Sequence, residues 1–169
     1  MSDLNLGIEF CGVPLHNPFI LAASPSTDSK EMIARGFEAG WAGAVVKTTS
    51  VELEEVSIAY PIIASLRDGS RMVGLHNIDL ISERHIEAVV EDVAWLKQRF
   101  PDKAVSMSIV ASMREEWEYL IRCAEDAGAD LIELSISCPQ GSVLEDELEA
   151  DGWMISQDAH LTEKVTRWA

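Results

Sequence analysis

Apolar positions along this chain fall into short unbroken runs separated by stretches with helical spacing. Residues 19–23, 42–49, 104–110 and 130–136 are such runs, bounded by turn residues, and read as buried strands. Between and after them, residues 28–40, 82–101, 112–128 and 158–168 set apolar side chains about one turn apart. The inward faces are Ile33 and Phe37; Ile86, Val89, Val90, Val93 and Leu96; Trp117, Leu120, Ile121 and Ala124; Leu161, Val165 and Trp168. Asp28 with Glu31, Ser82, Ser112 with Glu115, and Asp158 are the expected N-caps. Gly40, Gly128 and Pro101 are the expected stops. Residues 6–15 predict a hairpin turning near Cys11-Gly12. Residues 50–81 carry Pro61, Asp68-Gly69 and Gly74 but no strong period. A connection of that length is usually functional or disordered, and its apolar content (Ile58, Tyr60, Ile62, Ile63, Leu66, Met72, Val73) favours an ordered lobe over disorder.

The order is strand then helix, repeated four times, with strands apolar on both faces; that pattern belongs to a parallel sheet. Either a (β/α)8 barrel or a doubly wound sheet would satisfy it. The barrel is favoured because Ser24, Lys47, Asn77 and Cys138 all fall at or just after strand C-terminal ends, where barrels build their sites. A doubly wound nucleotide fold would place a glycine-rich turn after its first strand, and Ala22-Ala23-Ser24-Pro25-Ser26 contains no glycine. The expected fold is therefore α/β, of the parallel TIM-barrel type, first four βα units only, preceded by a short N-terminal β-hairpin. A complete barrel takes about 250 residues, and 169 are present. Residues 1–169 are expected to be the N-terminal half of a barrel domain, completed by pairing or by a partner, or a remnant with unpaired edges.

Composition narrows the partners. The formal charge of −16 argues against nucleic acid and anionic membranes, which both need a basic footprint. Hydrophobic residues make up 47% of the chain, enough for a packed core, yet no run approaches the ~18 residues of a membrane span. Met1-Ser2-Asp3-Leu4 lacks a basic n-region, so a cytoplasmic location is expected. Cys11, Cys123 and Cys138 are widely spaced with no C-x-x-C pair, which disfavours a disulfide framework, zinc or an iron–sulfur cluster. The acidic residues 145–152 read as a solvated loop or helix face.

Cys138 ends the run Leu131–Ile136 and is followed at once by Pro139 and Gly141. It is either an acid–base or nucleophilic thiol displayed at a strand end, or a small apolar filler, free cysteines being among the most buried residues. Lys47 is likewise either a strand-end lysine reaching solvent or a site cation. Asn77 is either a turn residue or a paired donor and acceptor.

Four ordered segments together resemble the flavin domain of dihydropyrimidine dehydrogenase, within the wider dihydroorotate dehydrogenase-like family. They are Asn17-Pro18-Phe19 with Ala22-Ala23-Ser24; Phe37-Glu38-Ala39-Gly40-Trp41 with Lys47-Thr48; Asn77-Ile78-Asp79-Leu80-Ile81-Ser82-Glu83; and Ala127-Gly128-Ala129-Asp130 through Ser137-Cys138-Pro139. The resemblance implies a (β/α)8 barrel that binds FMN at its strand C-termini and acts on a CH–CH or C=C bond of a pyrimidine-like ring. It implies Cys138 as proton donor or acceptor at one ring carbon and Lys47 as a cation at the flavin ring. Ala22, Ala23, Ser24 and Thr48 would line the flavin, and Asn77, Asp79, Ser135, Ser137 and Gln140 would surround the substrate.

Three positions depart from the family pattern: Ser135 stands for a usual asparagine, Gln140 for histidine or asparagine, and Asp79 for glutamate. All three still hydrogen-bond but with different reach, which leaves another cyclic or conjugated C=C compound open as substrate. The family's flavin phosphate site lies in the loops after its seventh and eighth strands, beyond residue 169. A redox subunit or iron–sulfur domain elsewhere is implied as electron partner, and no metal site is expected. The alternatives are a non-catalytic half-barrel, stable only as a homo-oligomer or heteromer, and a doubly wound nucleotide-binding module.

Overall fold

The computed structural model describes residues 4–51, 63–77, 79–137 and 154–169. In chain order these form β1 (Ile8–Phe10), β2 (Val13–Leu15), β3 (Ile20–Leu21), α1 (Lys30–Glu38), β4 (Gly43–Thr49), β5 (Ile63–Asp68), β6 (Arg71–Asn77), α2 (Ile86–Arg99), β7 (Ala104–Ile109), α3 (Arg114–Asp126), β8 (Leu131–Leu134) and α4 (Ala159–Trp168). Strands β3, β4, β7 and β8 pair in that order, all parallel. Each apolar run has thus become a strand beside the one preceding it in the sheet.

One face of the sheet carries the core. Ala44 and Val46 of β4, with Val105, Met107 and Ile109 of β7, pack against side chains from all four helices, including Phe37, Val93, Leu96, Trp117, Leu120 and Val165. A doubly wound sheet would show a reversal in strand order and helices on both faces. Among the described residues neither occurs, and the arrangement is that of a partial TIM-barrel-like fold. The other face carries Val45, Ser106 and Leu131 in register. The β1–β2 hairpin lies over its lower end, and Phe10 and Cys11 help line a pocket of about 230 Å³ together with Ile20, Val45, Ser106, Leu131 and Glu133. The hairpin turn is the one expected: Cys11 at φ +50° and Gly12 at φ +79° are both left-handed, as a type I′ turn requires.

The segment without a readable period holds a second hairpin. Strands β5 and β6 pair antiparallel, with Asp68 opposite Arg71 and Gly69 at φ +59° in the two-residue turn between them. Every residue of β5 is exposed, and Ile63 and Leu75 remain 62% and 67% accessible. With neither face buried, no polar–apolar alternation was imposed on the sequence. Three expected caps are also relocated. Helix α1 starts after Ser29, and Asp28 instead accepts a hydrogen bond from Ser82 Oγ at 2.6 Å. Helix α2 starts after His85; Ser82 Oγ, besides donating to Asp28, accepts from the Arg84 N–H at 3.1 Å in a turn ahead of the helix. At α3 the backbone N–H groups of Ser112 and Met113 are held by Glu116, not Glu115. Asp158 caps α4 as expected, accepting from His160 N and Leu161 N.

Candidate active site

Strand β4 delivers two side chains to one place because its ladder is irregular. Val46 pairs with Met107 and Thr49 with Ile109, so Lys47 and Thr48 together oppose Ser108. A bulge of this kind re-aims a side chain that strict alternation would send to the opposite face. Thr48 Oγ1 therefore meets Ser108 Oγ at 2.9 Å, on the face away from the helices. Ser108 is fully buried and pairs onward with Glu133 of β8. A polar row thus crosses three strands, above the layer of Val45, Ser106 and Leu131.

Lys47 turns upward from this row and forms an ion pair with Asp79, Nζ to Oδ2 at 2.8 Å, with side-chain exposures of only 7% and 19%. Two local features hold Asp79 there. Its own N–H donates to Asn77 Oδ1 at 2.8 Å, an Asx turn at the end of the second hairpin. Just beyond, Ser82 N–H donates to the Thr48 carbonyl at 2.7 Å, tying the returning segment to the end of β4. The other carboxylate oxygen, Asp79 Oδ1, is buried without a hydrogen-bond partner. Buried acceptors are nearly always paired, so this atom marks where a donor from outside the described chain would be accommodated.

Behind the ion pair lies a second charged cluster that braces the segment. Asp92 of α2 is buried and bonds Arg84 Nη1, Lys30 Nζ at 3.0 Å and Lys30 N–H at 3.1 Å. Arg84 also donates to the Asp28 carbonyl at 2.7 Å. Burial pushes the Asp92 carboxyl up, but the bonds from Arg84 and Lys30 outweigh it and hold the group below the usual carboxylate range. The hydrogen bond to Asp92, followed by its charge, raises Lys30.

The structure therefore brings Lys47, Thr48, Asn77 and Asp79 together. Ser135 follows on β8, its N–H extending the parallel ladder to the Ile109 carbonyl at 2.9 Å; Ser137 is exposed two residues on. Ala22, Ala23 and Ser24 follow β3 in a tight turn of their own: Thr27 Oγ1 donates to the Ala22 and Ser24 carbonyls, and Ser24 N–H donates back to Thr27 Oγ1 at 3.0 Å. Cys138 and Gln140 lie outside the described residues. Sequence reasoning missed Ser108, although Ser106 and Ser108 stand two apart in an otherwise apolar strand and so share the non-core face. It also missed Arg84 and Asp92, whose pairing depends on tertiary placement. Among the described residues no cluster of three metal-ligating side chains occurs, and no helix is long and apolar enough to cross a membrane.

No family model matches the chain. It is 35% identical over 168 residues to the NAD-dependent dihydropyrimidine dehydrogenase subunit PreA of Escherichia coli (strain K12), aligning 99% of this chain with 39% of that protein. It is 30% identical over 174 residues to the chloroplastic dihydropyrimidine dehydrogenase (NADP(+)) of Arabidopsis thaliana, covering 40% of it. The catalytic subunit of dihydroorotate dehydrogenase B (NAD(+)) from Alkaliphilus metalliredigens is 25% identical over 167 residues, with 51% of its length covered. The chain thus spans about two-fifths of the length of the first two relatives and half of the third.

Proposed function

We propose that this chain belongs to the dihydropyrimidine dehydrogenase and dihydroorotate dehydrogenase-like family, whose members named above it matches over two-fifths to half of their length, and that it is the N-terminal half of an FMN-binding (β/α)8 barrel. The whole would be an oxidoreductase acting on a CH–CH bond of a pyrimidine-like ring. The observation that carries this reading is the buried Lys47, turned with Thr48 onto the inner face at a strand end and paired there with Asp79. A lysine merely reaching for water would not be 93% buried on a carboxylate.

The polar groups fit one edge of a flavin ring: the Lys47 ammonium and the Thr48–Ser108 hydroxyl pair. FMN, bound there, would supply a two-electron donor or acceptor for the ring C=C bond. The chain's own residues do the rest. Lys47 stabilises negative charge at the ring edge. Asn77, with its Oδ1 engaged by the Asp79 N–H, offers its amide NH2 to a substrate carbonyl. Asp79 Oδ1 accepts from a ring N–H, and Ser135, Ser137 and Gln140 complete the polar surround. Cys138 holds the proton at Sγ and exchanges it with one ring carbon. Ala22, Ala23 and Ser24 line the flavin from the end of β3. Electrons would come from or pass to a redox subunit or iron–sulfur domain elsewhere; two of the relatives are themselves described as subunits.

A second reading, a non-catalytic half-barrel stable only with a partner subunit or a second copy, draws support from the exposed apolar side chains of the second hairpin. Equilibrium dialysis against FMN separates the two. The enzyme reading predicts saturable uptake by the full-length protein and oxidation of a dihydropyrimidine with an electron acceptor. Absence of both would favour the partner-dependent scaffold.

A further inference from the structure

We propose that Asp79 is a charge-tuning residue for Lys47. Its carboxylate sets how much positive charge the lysine presents at the mouth of the sheet, and links that charge to occupation of the neighbouring ring site. This rests on FMN lying against Lys47, as proposed above. An ammonium 2.8 Å from a carboxylate acts outward as a dipole, whose field falls off faster than that of a lone cation. Both side chains are largely buried, so water and salt screen the pair little.

The carboxylate is held in this orientation from several directions. The Asn77 Asx turn fixes the Asp79 backbone, and Ser82, bonded to Thr48 and to Asp28, anchors the segment that follows. Its two oxygens are then unequal: Oδ2 sits on Lys47 while Oδ1 is buried without a partner. A ring ligand bringing an N–H to Oδ1 would satisfy that atom. It would also draw electron density away from Oδ2, loosening its hold on the ammonium. Ligand binding would thereby increase the positive charge available to stabilise reduced FMN. Lys47 and Asp79 work as one device with a cofactor side and a substrate side.

The test is a potentiometric titration of the FMN-loaded full-length protein with dithionite, comparing wild type with Asp79→Asn and with Asp79→Glu, which keeps the charge. Folding of each variant is checked by circular dichroism, and Asp79→Ser replaces the asparagine variant if that one does not fold. The expected result is that Asp79→Asn binds reduced FMN over oxidised FMN about tenfold more strongly than wild type does. For a two-electron couple that ratio is an upward midpoint shift of about 30 mV. Asp79→Glu should stay near wild type. Uracil, which carries imide N–H donors, should raise the wild-type midpoint and leave that of Asp79→Asn unmoved. An FMN-loaded Asp79→Asn with the wild-type midpoint overturns the tuning role while leaving the proposed function standing. A wild-type midpoint insensitive to bound uracil overturns the link between the two sites. Failure of the full-length wild-type protein to take up FMN overturns both this inference and the function on which it rests.

Discussion

Lys47 and Asp79 illustrate the conditions under which a charge can be kept below the surface of a small sheet. Each alone would cost several kcal/mol to desolvate, and their contact offsets this only while both are present. Lys47→Met should therefore destabilise the fold by about 3 kcal/mol, because it strands the Asp79 carboxylate; adding Asp79→Asn should recover part of the loss in urea melts. Asp92 makes a pH-dependent contribution of the opposite kind to a raised base. Its folded value lies below the ordinary 3.8, so its stabilisation is complete above that value and is lost as pH falls through the lower folded one. The urea midpoint should drop below about pH 4, and Asp92→Asn should lower it at neutral pH and flatten the acid decline. Lys47 was legible as a candidate from its place at a strand end. Asp79 was named from the resemblance as a substrate-site residue, but its pairing with Lys47 was not foreseen, because it lies 32 residues on, beyond a hairpin whose course the sequence did not reveal.

At the level of elements, the four buried strands and four helices were readable because burial imposes a period on the sequence. The second hairpin escaped for the converse reason: it buries neither face, and only Asp68-Gly69 betrayed its turn. Caps divide along the same line. Asp158 caps the helix it precedes because nothing else competes for it, whereas Asp28 and Ser82 bond each other across the fold. The first hairpin offers a local test. Cys11 occupies a left-handed turn position at φ +50°, which costs a non-glycine residue about 1 kcal/mol and which asparagine tolerates better. Cys11→Asn should raise thermal stability by up to about 1 kcal/mol, measured by calorimetry, without moving the sheet.

Over the whole molecule, sequential parallel strands with helices on one face leave the other face to carry a mostly apolar layer beneath the hairpin, interrupted by Ser106, and a polar row toward the strand ends. Lys47, Thr48, Ser108 and Glu133 form the polar row, and the segment after the second hairpin sets Asn77 and Asp79 above it. Strand β8, parallel to β7, ends on the same side, with Ser135 just beyond it. This convergence underlies the claim that the chain contributes a proton-handling thiol and a ring-edge cation to an FMN oxidoreductase. The most direct measurement is anaerobic mixing of the FMN-loaded protein with a dihydropyrimidine, following loss of the flavin's visible absorption in wild type and Cys138→Ala. The account predicts rapid bleaching in wild type and, in the variant, full flavin content with bleaching slowed by about 10²–10⁴, the usual contribution of a positioned acid–base group. Equal bleaching rates in the two proteins, or no bleaching in either, would contradict it.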